Sequence, residues 1–139
     1  MSLFVVDTDI LSLYYAGHPL VCQRIDATPT IDLAITVMTL DEQLTGWYTL
    51  TRQARRPDEI AHAYDRLADA VVRLARWRIL PYTEPAIARV AQFKAMRLNV
   101  RVMDLRIAAI TLEHSGIIVT RNVRDFAHCG IKVLNPWNG

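Results

Sequence analysis

The chain has 139 residues, 52% hydrophobic and 22% charged, which marks a globular protein with one sizeable core and excludes a disordered or fibrous one. Its formal net charge of +2 is too small to announce a nucleic-acid binder by bulk electrostatics. No run of about 18 apolar residues is present, which excludes a spanning helix, and the start MSLFVVDTD lacks the basic opening and cleavage site of a secretory signal.

The elements then follow in order. Leu3-Phe4-Val5-Val6 is a continuous apolar run, the pattern of a strand covered on both faces, and it ends at Asp7. Thr8 or Asp9 is placed to cap a helix reaching about Ala16, with Gly17 closing it and His18-Pro19 opening the next. Asp32 to Val37 reads as the second strand. Thr39 and Glu42 stand in a T-x-x-E capping box, heading a helix that carries Leu40, Leu44, Trp47 and Tyr48 on one side. Pro57-Asp58-Glu59 opens a long helix in which Ile60, Tyr64, Leu67, Val71 and Leu74 recur at helical spacing, predicting one buried stripe.

Arg78 to Pro81 is a short strand and Glu84 to Leu98 a further helix. Asp104 opens an apolar helix with Leu105, Ala108, Ala109 and Leu112 at helical spacing, and Gly116 supplies its stop. Ile117-Ile118-Val119 is a buried strand ending in Thr120, and Lys132-Val133-Leu134 makes the last strand. Strands alternating with helices imply a parallel sheet with helices on both faces, in a single domain spanning residues 1–139. Cys22 and Cys129 have no metal-ligand spacing, which points to reduced thiols in a cytoplasmic protein.

Asp7, Glu42, Asp104 and Asp125 all fall at the carboxyl ends of strands or in the first turns that follow, hence at one rim of such a sheet, where ligands of open α/β folds bind. Two carboxylates about 4 Å apart repel by on the order of 4 kcal/mol at an effective dielectric near 20, and a hard divalent cation removes that cost. Mg2+ or Mn2+ suits an oxygen-only site, and the matching substrate is a phosphate ester. His18, His62, His114 and His128 show no pairing and read as structural or surface residues.

The order VVDTD, TLDEQLTG, MDLRIAAITLEHSGIIVT and TRNVRDF resembles that of PIN-domain ribonucleases, and is most similar to VapC-type toxins of toxin–antitoxin pairs. The similarity runs from Leu3 to Leu134. It implies a PIN-like three-layer α/β/α fold with a five-stranded parallel sheet, and a Mg2+- or Mn2+-dependent endoribonuclease. It further implies a small VapB-type antitoxin bound across the catalytic groove and a homodimer. Asp7, Glu42, Asp104 and Asp125 match the four acidic positions as catalytic metal ligands. Asp9 matches a supporting group behind them, and Thr120 and Asn122 match polar support near the fourth acid. One departure is Asp41, where a small residue is more usual.

Each acid also has a local explanation: a cap for Asp7, the capping box for Glu42, dipole compensation for Asp104. Jointly, these would have to coincide at one rim in the family's order. Arg52, Arg55 and Arg56 cluster near the end of one helix, and Arg97, Arg101, Arg121 and Arg124 lie near the later acids. They are candidates to hold RNA phosphates, set against ordinary helix-end compensation. Two further readings stand beside the ribonuclease, a structure-specific DNA nuclease of PIN-like fold and a non-catalytic phosphate- or nucleic-acid-binding domain.

Overall fold

A computed structural model describes residues 2–137. Five strands, β1 (Phe4–Val6), β2 (Leu33–Thr36), β3 (Ile79–Leu80), β4 (Ile117–Val119) and β5 (Lys132–Leu134), form one sheet in the order β3-β2-β1-β4-β5. Every pairing is parallel, with Val5 opposite both Ala34 and Ile118. The helices are α1 (Thr8–Tyr15), α2 (Pro19–Asp26), α3 (Val37–Gln53), α4 (Pro57–Leu74), α5 (Glu84–Ala95), α6 (Val102–Glu113) and α7 (Val123–His128). This is the predicted three-layer α/β/α arrangement, and among the described residues no helix is long and apolar enough to cross a membrane.

Alternation along the strands builds two cores. Val5, Ala34 and Ile118 point to one face, where they meet Val90 and Phe93 of α5, the apolar body of α6, and Phe126 of α7. Val6, Ile35 and Val119 point to the other, against Ile10 and Leu11 of α1, Val21 and Ile25 of α2, and Leu74 of α4. Helix α6 is buried almost all round, including Asp104, so its charge sits inside the fold rather than on a wet face.

Four expectations need correction. The cap of α3 is Thr36, whose hydroxyl accepts from Thr39 N at 3.3 Å, because the helix starts directly off the strand end. Thr39 is therefore a buried first-turn residue and Glu42 stands a turn further in, so no T-x-x-E capping box exists there. Asp7, rather than Thr8 or Asp9, caps α1. The α4 stripe is the third: only Leu74 of the five is buried, while Ile60, Tyr64 and Val71 remain exposed. Helix α4 buries Ala63 and Ala70 instead, small residues that let it lie close to α3.

At the end of α6 the left-handed residue is Ser115 (φ 51°), not Gly116. Gly116 is needed for a different reason. A Cβ there would lie 3.1 Å from Val5 Cγ2 and 3.3 Å from the Leu3 carbonyl, so its bare backbone lets β4 enter the sheet beside β1.

Candidate active site

Asp7 is where the sheet turns chemistry-bearing. The end of β1 carries it next to the end of β4, to which its backbone N–H donates at the Val119 carbonyl (3.0 Å). Its side chain is 7% exposed and fully engaged. Oδ1 accepts from Thr8 N at 2.8 Å and Oδ2 from the Thr120 hydroxyl at 2.7 Å.

Two hydroxyls extend this pair in opposite directions. Thr8 donates its hydroxyl to Glu42 Oε1 at 2.8 Å and contacts the Thr39 hydroxyl at 3.0 Å, so α1 and α3 are tied at Glu42. Thr120 accepts from Asn122 N at 3.0 Å, and the Asn122 amide donates to Asp125 Oδ2 at 3.0 Å. A continuous line thus runs Glu42, Thr8, Asp7, Thr120, Asn122, Asp125.

Asp104 reaches the same place from α6. It is 3% exposed, and Arg101 holds it in a fork, Nε to Oδ2 at 3.3 Å and Nη2 to Oδ1 at 3.1 Å. Asp7, Asp104, Arg101, Thr120 and Asn122, with the ion pair of Asp9 and Arg121, line one open depression of about 420 Å³. Glu42 and Asp125 do not line it and join it through Thr8 and Asn122.

The electrostatics agree with this crowding. Burial pushes the Asp7 carboxyl up to about 6, helped by repulsion from Asp104 and Glu42 and opposed by the Thr120 and Thr8 hydrogen bonds. The Arg101 guanidinium is held charged more firmly than usual, first by its hydrogen bonds to Asp104, with Glu42 and Asp7 adding. Burial also pushes the Cys129 thiol up to about 11, which leaves it inert as a nucleophile.

The depression holds three carboxylates, Asp7, Asp9 and Asp104, against two guanidiniums, Arg101 and Arg121, and oxygen donors with such a net negative charge fit a hard divalent cation. Among the described residues no three His, Cys, Asp or Glu side chains stand as a ready ligand set; hydroxyls hold Asp7 and Arg101 holds Asp104. Asp7 and Asp104 would be the inner ligands and Glu42 and Asp125 the outer ones. Arg101→Gln should tighten Mn2+ binding by up to about fivefold, since it removes a competing cation from Asp104. Titration calorimetry on the metal-free protein checks this, and an unchanged or weaker affinity would refute it.

The arginines divide into two groups. Arg101 and Arg121 border the depression, and Arg97 and Arg124 are exposed nearby in the chain. Arg52, Arg55 and Arg56 are not brought to it. Arg52 is ten residues beyond Glu42 along α3, about 15 Å at helical rise, and lies over the Tyr48 ring at 5.6 Å. Arg56 is occupied at the start of α4 with Glu59 (2.9 Å) and Asp58.

Sequence reasoning missed Thr8 as the partner of Glu42, and paired Thr39 with Glu42 where the structure joins Thr39 to Thr8. The available signal was a hydroxyl directly after Asp7, which a local reading assigns to capping.

No family model matches the chain. Along 142 residues it is 26% identical to Toxin FitB of Neisseria gonorrhoeae, covering 98% of this chain and 99% of that one. It is also 26% identical over 141 residues to a VapC ribonuclease of Sinorhizobium fredii, with 97% and 98% covered. Among solved structures, the FitAcB complex of N. gonorrhoeae superposes with a TM-score of 0.78 at 26% identity, over 99% of this chain and 100% of that one. DNA-bound VapBC of Salmonella typhimurium shares the fold, with a TM-score of 0.77 over 98% of this chain and 99% of that one, at 22% identity.

Proposed function

We propose, from a chain similar along its whole length to VapC-type PIN-domain toxins, that this protein is the toxin of a toxin–antitoxin pair and a metal-dependent endoribonuclease. The observation that carries the reading is the line of hydrogen bonds joining Glu42, Asp7 and Asp125, with buried Asp104 facing the same depression. Four acids from distant segments sharing one rim have no structural purpose that a local cap would not serve more cheaply.

Bound Mg2+ or Mn2+ would supply Lewis acidity at a phosphoryl oxygen and acidify the attacking water. The chain's own residues do the rest. Asp7 and Asp104 would hold the cation at the depression they line. Thr8 and Thr120 fix the Asp7 carboxylate so that it points the same way before and after substrate arrives. Arg101 and Arg121 give the RNA backbone positive contacts beside an acidic centre that would otherwise repel it.

The partner is a small antitoxin of the VapB type, and the assembly a homodimer in the cytoplasm. Ile60, Tyr64, Val71 and Val72, exposed along α4, support a protein partner, because an apolar face of this kind is costly when left in water.

The test is cleavage by the purified protein with Mn2+, with EDTA, and on DNA of the same sequence. Discrete RNA fragments that vanish with EDTA are the expected result. Equal cutting of DNA would move the reading to a DNA nuclease, and binding without cutting to a non-catalytic domain.

A further inference from the structure

Because every strand is parallel, residues that follow the helix ends and precede the strands gather at the end of the sheet opposite the acids. A cavity of about 280 Å³ opens there, between the ends of α1, α2 and α4 and the starts of β2 and β3. One wall is cationic. Arg73 closes α4, Arg76 lies in the turn after it, and Arg78 leads into β3.

Among the described residues none of these three guanidiniums is in an ion pair. Compensation of one helix end by Arg73 leaves two further cations that no carboxylate balances. Arg73 is also held in place, over the Tyr15 ring at 5.2 Å.

The remaining walls differ in chemistry. Tyr14, Tyr15 and Trp77 form an aromatic cluster, fixed by the Trp77 Nε1–H donating to the Tyr15 hydroxyl at 2.8 Å. From the end of α2 comes Asp26, whose Oδ1 accepts from the Tyr14 hydroxyl at 2.8 Å. Nothing among the described residues donates to its Oδ2.

Three cations on one side, rings between, and an acceptor on the other make a polarised receptor. An acidic peptide or a bare phosphate would use the arginines and be repelled by Asp26. A nucleotide uses all three parts: phosphate on the guanidiniums, base against the rings, and a ribose hydroxyl or exocyclic amine on Asp26. We infer that this cavity binds a nucleotide 5′-phosphate, either free or as the end of an RNA strand, at a site separate from the carboxylate rim. The inference does not depend on the nuclease reading and survives or fails without it.

The test is calorimetry on the full chain in EDTA with adenosine 5′-monophosphate, adenosine, inorganic phosphate, a 5′-phosphorylated single-stranded RNA and a Glu-rich peptide. The monophosphate should bind at one site, at least about tenfold more tightly than adenosine or phosphate. Arg76→Gln and Arg78→Gln, both at exposed positions, should each weaken it by about tenfold with unchanged melting; tryptophan emission, followed in parallel, should change when the monophosphate binds the parent and not when it is added to Trp77→Phe. Tighter binding of the RNA than of the mononucleotide assigns the site to a strand end, and equal binding assigns it to the free nucleotide. No binding of the monophosphate, equal affinity for adenosine, indifference to both arginine changes, or tighter binding of the peptide overturns the inference.

Discussion

Asp7→Asn is expected to lower RNA cleavage by about a thousandfold or more while making the metal-free protein harder to melt at neutral pH. The two effects have one origin. Asp7 is buried, and its carboxyl is pushed up to about 6 from an ordinary value of 3.8. A carboxyl raised in the fold favours the folded state only while protonated. That contribution is full below about pH 3.8 and is lost as pH climbs through about 6, at a cost on the order of 3 kcal/mol above it.

Asparagine fills the same volume without the charge and gives up about 1 kcal/mol, because its amide group cannot accept from both Thr8 and Thr120. The variant should therefore melt a few degrees higher than the parent at pH 7.5 without metal, and lose that advantage at pH 4 or when Mn2+ is added. At sub-saturating Mn2+, metal uptake by the parent, and cleavage with it, should strengthen as pH rises through about 6, because on the proposed reading the cation competes with a proton for Asp7. Calorimetric melting at three pH values and initial rates with Mn2+ decide it. A variant that cuts at the parent rate would remove Asp7 from the chemistry.

Phe126→Ala should be the most damaging single change in the core, costing about 3–5 kcal/mol and lowering the melting temperature by roughly 10 °C or more. Phe126 is completely buried, and it anchors α7, a helix of only six residues. With so little helix of its own to hold it, α7 depends on that ring to keep Asp125 and Asn122 against Thr120. Unfolding by urea measures the loss, and a cost below about 1 kcal/mol would mean that α7 is fastened by something else.

The sheet and its rim were legible because they rest on simple patterns. Short apolar runs ending in Asp7 and Thr120 can be little else than buried parallel strands. Those positions in turn put the acids at one end. What was not legible was contact between distant segments. Both Thr36 and Thr39 are competent caps, and only the point where β2 releases the chain decides between them. The spacing of Ile60, Tyr64, Leu67 and Val71 is truly helical, yet periodicity identifies an apolar face without saying that this fold covers it. Neither Thr8 nor Arg101 announces its partner, because hydroxyl and guanidinium partners are chosen by three-dimensional neighbours.

The rim's wiring also bears on how such a protein is made. Its acids are strung together by Thr120 and Asn122, and Asp104 and Asp125 come from segments that follow β3 in the chain. An emerging chain can fold β1, β2 and their helices while still on the ribosome, but the scissor stays unassembled until β4 slots in beside β1. On the proposed reading, a nascent chain stalled before β4 is therefore blunt, and the blade closes only once β4 has been made and has paired with β1.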